Sequence, residues 1–151
     1  PPFTWQFVLD GGGSPLLQDQ LNGLMKRVPP NERSYLGKEI LTLLESAEGG
    51  RCSPVEVVDG RRVGEVECID HGKGPILELR VERDIDGCPP RKIRIYFAEP
   101  VVPEVLLGIS VRDAPRNRSG LTEQDQHWKN AEEWLVKWWR ESQQSGDQFR
   151  G

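Results

Sequence analysis

Two predicted strands carry polar side chains at every second position, and these side chains are the best candidates for chemistry. The polar members are Glu78, Arg80 and Glu82 in the segment ILELRVE, and Lys92, Arg94 and Tyr96 in the segment KIRIYF. Because successive side chains of a strand point to opposite faces, each set shares one face. Arginine guanidinium groups match the geometry of phosphate oxygens and stay charged. The pattern therefore predicts a charged sheet face that can form a shallow anion site.

A cluster of arginines follows the last predicted strand. Arg112, Arg116 and Arg118 lie in the segment RDAPRNR, whose turn-forming residues limit its freedom. Between Gly87 and Arg118 the chain has six Lys and Arg against three Asp and Glu, although its net charge is -4. Positive charge is thus concentrated here. A plainer interpretation stays open, since an antiparallel sheet normally has one solvated face on which opposite charges pair across strands.

Histidine and cysteine give weaker signals. His127 lies near the start of the last predicted helix, where a surface histidine without a role is common. Cys68 and His71 have CxxH spacing, and Cys52 and Cys88 could complete four ligands. The paired spacings of zinc sites are missing, so we predict no metal. The glycines at 11–13 complete neither phosphate-loop pattern and indicate a turn.

The elements that would position these residues follow from periodicity and turn signals. We predict a first strand over 3–9, a helix capped by Ser14, and a second helix from Asn31 to a stop at Gly49, the two forming an antiparallel helical hairpin. Further strands are predicted over 55–58, 63–69, 76–83, 91–97 and 105–111. A polar loop over 112–121 then leads to a helix capped by Thr122. This segregated order predicts an α+β fold with an antiparallel sheet of about four to six strands.

Alternation also predicts the core. The residues expected to point inward are Leu77, Leu79, Val81, Ile93, Ile95, Phe97, Leu107, Ile109 and Val111. Gly108 and Ser110 would then point outward as a floor beside the charged residues. In the last helix the predicted apolar stripe is Trp128, Ala131, Trp134, Leu135 and Trp138, whereas Val136 and Trp139 lie off it. Those two residues would mark an exposed patch for a partner protein.

Size and composition limit the class of protein. The 151 residues fit a single domain, and no apolar run approaches the length of a membrane span. Three cysteines without a CxxC pair favour free thiols and a cytoplasmic protein rather than a secreted disulfide framework. The acidic net charge argues against a protein that coats nucleic acid by overall basicity. We expect a polar, frayed tail over 142–151.

The order of elements, together with LELRV, KIRIYF, LLGISVRDAPR and the helical WKNAEEWL, resembles the RelE/ParE toxin superfamily, especially its HigB-like, phage-derived branch. The resemblance covers nearly the whole chain and leaves out 52–71, which looks like an inserted hairpin. It implies a RelE-like fold and a toxin that cuts messenger RNA, commonly on the ribosome, without a metal or other cofactor. It also implies a separately encoded antitoxin as partner.

Residue roles follow from that resemblance. Arg80 and Arg94 match the basic residues of the central strands, and Arg116 or Arg118 matches the arginine of the loop before the last helix. In metal-free RNA cleavage the arginines would stabilise the phosphorane charge, Glu78 or Glu82 would be the base and His127 the acid. Lys92, Tyr96, Arg112 and Arg118 would contact RNA. The alternative is a non-catalytic binding protein of the same fold, or a ParE-like toxin that acts on another protein.

Overall fold

A computed structural model describes residues 2–53, 56–68, 76–81, 91–100, 104–115 and 118–144. Within these ranges the chain forms seven strands and three helices. In chain order they are β1 (Thr4–Phe7), α1 (Leu16–Arg27), α2 (Pro30–Glu48), β2 (Glu56–Val58), β3 (Arg61–Val63), β4 (Val66–Cys68), β5 (Ile76–Val81), β6 (Arg91–Ala98), β7 (Val105–Pro115) and α3 (Arg118–Gln144). The predicted α+β class is confirmed.

The main sheet has five strands in the order β1-β7-β6-β5-β4. Strands β4 to β7 pair antiparallel, as predicted, but β1 lies parallel to β7, with Thr4 opposite Val105 and Phe7 opposite Gly108. The sheet is therefore mixed, and the expectation of a purely antiparallel sheet is wrong. The first strand pairs with β7, the last strand of the chain, and forms one edge of the sheet. The alternation of side chains within a strand reveals neither its partner nor its direction.

Both faces of the sheet are covered, and this is the largest departure from the predicted arrangement. Helices α1 and α2 pack on one face through residues such as Leu24, Leu36 and Ile40, which share a buried cluster with Leu79 and Ile95. Helix α3 packs on the opposite face. The apolar stripe of α3, predicted from spacing, packs there in a second cluster. Its buried members are Val8, Ile76, Tyr96, Ala98, Leu107, Ile109, Trp128 and Ala131, and Trp134, Leu135 and Trp138 pack against them.

The pairing of β6 with β7 contains a β-bulge, where the register shifts between Tyr96 and Phe97. The bulge changes which side chains of β7 share a face. Tyr96 lies opposite Ser110 whereas Phe97 lies opposite Gly108, so β7 has one extra residue. Leu107 and Ile109 consequently face α3, while Val111 faces α1 and α2. All three are buried, but the prediction that they share one face is wrong.

Gly108 is a required glycine at this point. It lies on the face of α1, where a Cβ atom would approach Cδ1 of Phe7 to 2.6 Å. The predicted outward floor of Gly108 and Ser110 does not exist, because the two residues lie on opposite faces and both are buried.

The connection before α3 is shorter than predicted. Strand β7 continues to Pro115 and α3 begins at Arg118, so the predicted loop over 112–121 and the Thr122 cap are wrong. Pairing with β6 extends the strand, since Arg91 still lies opposite Pro115. Arg112 is thus a strand residue with a fixed direction.

The segment 52–71 contains a small hairpin of its own. Strands β2 and β3 pair at a turn in which Asp59 and Gly60 have φ angles of 52° and 73°. Positive φ at both positions is the geometry of a tight type I′ turn, which explains the Asp-Gly sequence. Gly64, with φ of 96°, then separates β3 from β4, so the single strand predicted over 63–69 is two strands.

The ends of the helices also differ from expectation. Helix α1 begins at Leu16 after Pro15 and has no side-chain cap, so Ser14 is not its N-cap. Helix α2 begins at Pro30, one residue before the predicted start. At the other end of the chain α3 reaches Gln144, and 145–151 lie outside the described residues.

Candidate functional site

Three arginines form a row across neighbouring strands on the face covered by α3. The pairing of strands places Arg80 opposite Arg94 and Arg94 opposite Arg112. The next row consists of Glu78, Tyr96 and Ser110. The structure thus brings together three of the arginines that the sequence singled out. We call Arg80, Arg94 and Arg112 the arginine row.

A buried carboxylate holds two members of this row. Glu78 is fully buried, and its Oε1 accepts hydrogen bonds from Nε of Arg80 at 3.1 Å and from Nε of Arg94 at 3.0 Å. Its Oε2 accepts a hydrogen bond from Nε2 of Gln124 on α3 at 3.2 Å. Such charge-assisted bonds are the strongest way to satisfy a buried carboxylate. Glu78 is therefore a structural anion in this conformation.

Burial corrects two of the predicted roles. Glu78 is sealed from solvent, and Arg80 and Arg94 are only 9% and 7% exposed, because α3 lies over them. A base must come within hydrogen-bond reach of substrate, so Glu78 cannot act as one in this conformation. The predicted open charged face is instead the interface between the sheet and α3.

Tyr96 is also withdrawn from any direct contact with RNA. The side chain is 1% exposed within the α3 cluster. Its burial, together with the nearby Glu78 charge, raises the pKa of the phenol far above its ordinary value. Beside it the Ser110 hydroxyl is buried and has no hydrogen-bond partner among the described residues. Both groups serve packing rather than substrate binding in this arrangement.

One end of the arginine row opens into a polar cleft of about 340 Å³ between α1, β7 and α3. The side chains that line it on the α3 side are Arg112, Glu123 and His127. The α1 side contributes Arg27, whose Nη2 contacts Oδ1 of Asp113 at 3.0 Å. Arg112 is exposed, so the cleft is where the row meets solvent.

The cleft also contains a side chain that bonds to the edge of the sheet. The backbone N–H of Val111 donates to Oε1 of Gln20 at 3.0 Å. Gln20 lies on α1, so this bond ties the helix to β7 within the cleft wall.

His127 lies half-buried in the cleft with a perturbed acidity. Burial is the main cause that lowers its pKa below the ordinary 6.5, and the charge of Arg112 lowers it further. Glu123 and Asp113 act in the opposite direction, and Arg94 adds to the lowering. At neutral pH the imidazole is consequently neutral in the free protein, and its protonated form requires acid or a bound anion.

Sequence reasoning missed Glu123, Asp113 and Gln124. Glu123 precedes His127 by four residues, the spacing that puts two side chains on one helix face. The predicted helix capped by Thr122 already contains both residues, but the spacing does not show that this face of the helix lines the cleft.

Several predicted site residues fall elsewhere. Lys92 is half-buried on β6, opposite Ala114, one position beyond Arg94 on the same face. Glu82 and Arg116 lie outside the described residues, as does the side chain of Arg118 at the start of α3. The structure therefore gives no position for the proposed loop arginine.

The described part of the chain has no group of three or more His, Cys, Asp or Glu side chains arranged to hold a metal ion. Cys52 is a half-buried free thiol whose pKa is raised mainly by burial. Of the other three possible ligands, His71 and Cys88 lie outside the described residues, as does the side chain of Cys68. Across the described ranges, no helix combines the length and apolarity needed to cross a membrane.

Comparison with known proteins finds no protein family, no curated protein and no solved structure that matches the chain.

Proposed function

We propose that the chain is a toxin of the RelE/ParE superfamily that cleaves RNA in the cleft between α1 and α3. The observation that carries the proposal is that Arg112, Glu123 and His127 line one open cleft at the end of the arginine row. Cation, carboxylate and imidazole are the groups that metal-independent transfer of a phosphodiester to a 2′-OH requires.

The cleft assigns roles that differ from those expected from sequence. Glu123 takes the proton of the 2′-OH, and His127 protonates the leaving 5′ oxygen. Arg112 binds the phosphate, and its guanidinium fork suits two of the phosphate oxygens. Arg94 lies next to Arg112 in the row and adds positive potential behind the phosphate. A bound phosphate also raises the pKa of His127 and so supplies the protonated form that an acid needs.

The buried Glu78 holds the strands and the helix of this site in position through hydrogen bonds. It contacts Arg80 and Arg94 through one oxygen and Gln124 through the other, so it fixes the row and α3 together. A group that positions catalytic side chains in this way contributes to rate without touching substrate. We assign Glu78 as a positioning residue.

The family assignment is supported by the order of elements. The resemblance rests on the order of one strand, two helices, antiparallel strands and a final helix. The described elements follow this order. The proposed partners are those that the resemblance implies, a cognate antitoxin and messenger RNA, either free or on the ribosome. The proposed location is the cytoplasm.

A second function has an observation in its favour. Arg80 and Arg94 share the fully buried carboxylate of Glu78, which neutralises part of the positive charge of the row. Helix α3 covers both arginines, so solvent does not reach this part of the row. A protein of the same fold that binds a partner without cutting RNA, or a ParE-like toxin that acts on another protein, needs no exposed phosphate site.

The test is inducible expression in a bacterial host with mapping of new 5′ ends in messenger RNA. We expect growth arrest and new RNA ends with the wild type, and loss of both with Glu123→Gln, His127→Gln. The matched control is Lys129→Gln, Glu133→Gln, which changes the same spacing on exposed positions of α3 and should leave both effects intact.

The other outcomes separate the two functions. Growth arrest without new RNA ends overturns RNA cleavage and supports a toxin that acts on a protein. Normal growth with intact RNA, from a wild-type chain shown to be folded by circular dichroism, supports the binding protein. New ends that persist in the cleft variant would place cleavage elsewhere and overturn the assigned roles.

A further inference from the structure

Strand β1 forms one edge of the main sheet, and half of its backbone groups face away from the sheet. Its even-numbered residues face β7, and the next of them, Val8, donates its N–H to the carbonyl oxygen of Gly108 at 2.9 Å. Backbone groups alternate in direction along an extended chain, so the odd-numbered ones point outward. The outward groups belong to Trp5, Phe7 and Leu9, and we call them the open edge.

The open edge has no backbone partner within the described part of the chain. There β1 pairs with β7 alone, and the N–H and C=O groups of Trp5, Phe7 and Leu9 make no hydrogen bond. The preceding odd-numbered residue differs, because Phe3 donates its N–H to the carbonyl oxygen of Glu48 at 3.1 Å. Glu48 is the last residue of α2, so the end of that helix limits the open edge on one side.

Strand β1 lacks the features by which proteins usually keep an edge strand from pairing. Those features are charged side chains, proline, bulges and a very short strand. The segment FTWQFVL over 3–9 contains neither a charged residue nor a proline, and the pairing of β1 with β7 is regular. The strand at the opposite edge, β4, is only three residues long. The edge at β1 is therefore the one suited to a further strand.

The side chains of this segment favour a second copy of the same strand. Trp5 and Phe7 belong to the apolar cluster under α1 and α2 but are only half-buried, and Leu9 is 53% exposed. Thr4 and Gln6 are polar and lie on the other face. An antiparallel copy that pairs odd-numbered with odd-numbered residues adds apolar contacts on one face. It also brings no like charges together.

We propose that two copies of this chain associate through β1, antiparallel to each other, and so join their sheets into one. The three open positions are symmetric about Phe7, which therefore lies opposite Phe7 of the second copy. Trp5 lies opposite Leu9 of the second copy, and the outward N–H and C=O groups bond across the interface. The contact is the same for both copies, as a two-fold dimer requires. It does not depend on the proposed RNA cleavage.

The first test measures association and backbone protection together. Sedimentation velocity of the full chain over a range of concentrations should show a reversible dimer. Hydrogen exchange of single amides, followed by NMR below and above the dimerisation midpoint, should show an odd–even pattern. We expect the Trp5, Phe7 and Leu9 amides to become protected only in the dimer, whereas the Gln6 amide, which faces β7, is protected in both states.

A charge on the open edge tests the location of the interface. Leu9→Lys puts an ammonium group beside the paired strands and should weaken dimerisation by about tenfold or more. Leu41→Lys is the matched control, because Leu41 on α2 is 55% exposed and lies away from β1 in the sequence. This control should leave the dimer unchanged. Circular dichroism spectra that match the wild type show that both variants fold.

The register has a separate test at Thr4, an exposed residue. With Phe7 at the centre, Thr4 lies opposite Asp10 of the second copy. Thr4→Lys should tighten the dimer and Thr4→Asp should weaken it, each about two- to tenfold, the effect of two cross-strand charge pairs. The same changes at Thr42, on an exposed position of α2, should have no effect.

Several results would overturn the proposal. They are a chain that stays monomeric at about 1 mM, a dimer that Leu9→Lys does not weaken, and a dimer that Leu41→Lys weakens equally. Protection of the β1 amides without the odd–even pattern would also overturn it, as would a dimer that Thr4→Asp tightens. RNA cleavage is tested independently, since Glu123→Gln, His127→Gln should leave dimerisation intact.

Discussion

At the scale of single residues, Glu78 shows how a charged side chain becomes part of the core. A carboxylate with no solvent exposure loses its hydration, and only direct partners can offset that loss. The two arginines and Gln124 provide three such contacts at 3.0 to 3.2 Å. Removal of the carboxylate takes this shared anion away from two buried guanidinium groups, so it should be severe.

We predict that Glu78→Gln lowers the free energy of unfolding by about 3 to 5 kcal/mol, because two buried guanidinium groups lose their only described shared anion. Urea denaturation followed by circular dichroism measures this change. Glu56→Gln, the same substitution on an exposed strand of the β2–β3 hairpin, should change it by less than about 0.5 kcal/mol. Equal effects of the two substitutions would show that the buried cluster does not form.

His127 should make stability depend on pH. Its pKa is lowered in the folded protein, chiefly by burial, so the unfolded chain takes up a proton first as the pH falls below about 6.5. The wild type should therefore lose stability relative to His127→Gln as the pH falls from neutral towards the folded pKa, and the difference should level off below it. Unfolding curves at a series of pH values would measure this, and a difference that is constant with pH would contradict it.

At the scale of elements, the bulge in β7 determines how the site is arranged. It puts Arg112 on the α3 face, in line with Arg80 and Arg94, and Val111 on the opposite face. Without the extra residue these two side chains would exchange faces, because a strand has a period of two. The bulge lies beside Gly108, where Phe7 packs over the backbone.

We predict that Gly108→Ala lowers the free energy of unfolding by about 1 to 3 kcal/mol, since the new Cβ atom would meet the Phe7 ring at 2.6 Å. The same substitution at Gly23, in the exposed part of α1, meets nothing within 4 Å. It should stabilise the protein by up to about 1 kcal/mol through helix propensity. Thermal unfolding of both variants gives the comparison, and a stable Gly108→Ala protein would show that Phe7 packs elsewhere.

At the scale of the whole molecule, one sheet carries two apolar clusters on opposite faces. The first contains Leu36 from α2 and the second contains Trp128 from α3. Both clusters include residues of β6 and β7, so neither face can lose its packing without disturbing the strands that the other uses.

We predict that the described fold unfolds as one cooperative unit. Leu36→Ala and Trp128→Ala should each lower the urea midpoint, by a loss of about 2 to 5 kcal/mol, and in each variant circular dichroism and the fluorescence of the remaining tryptophans should change together. Transitions that separate in Trp128→Ala, with α3 lost before the sheet, would contradict a single unit.

The sequence by itself determined the elements and most of the core. Periods of 3.6 and 2 located α1, α2, the strands from β5 to β7 and the apolar stripe of α3, because local backbone geometry fixes those periods. It also identified Arg80, Arg94, Arg112 and His127 as candidates, since residue type and spacing are local properties. The residues predicted to point inward from β5 and β6 do lie in one core, but the opposite face of both strands is buried as well.

Tertiary structure decided the rest. The parallel pairing of β1, the bulge that turned Arg112 towards Arg94, and the position of α3 over Glu78 all depend on contacts between residues far apart in the chain. Local pattern cannot predict them because a polar side chain on a strand looks the same whether solvent or another helix covers it. Only the packing of α3 converts the expected open face into a buried charge cluster with one open end, at Arg112 and His127.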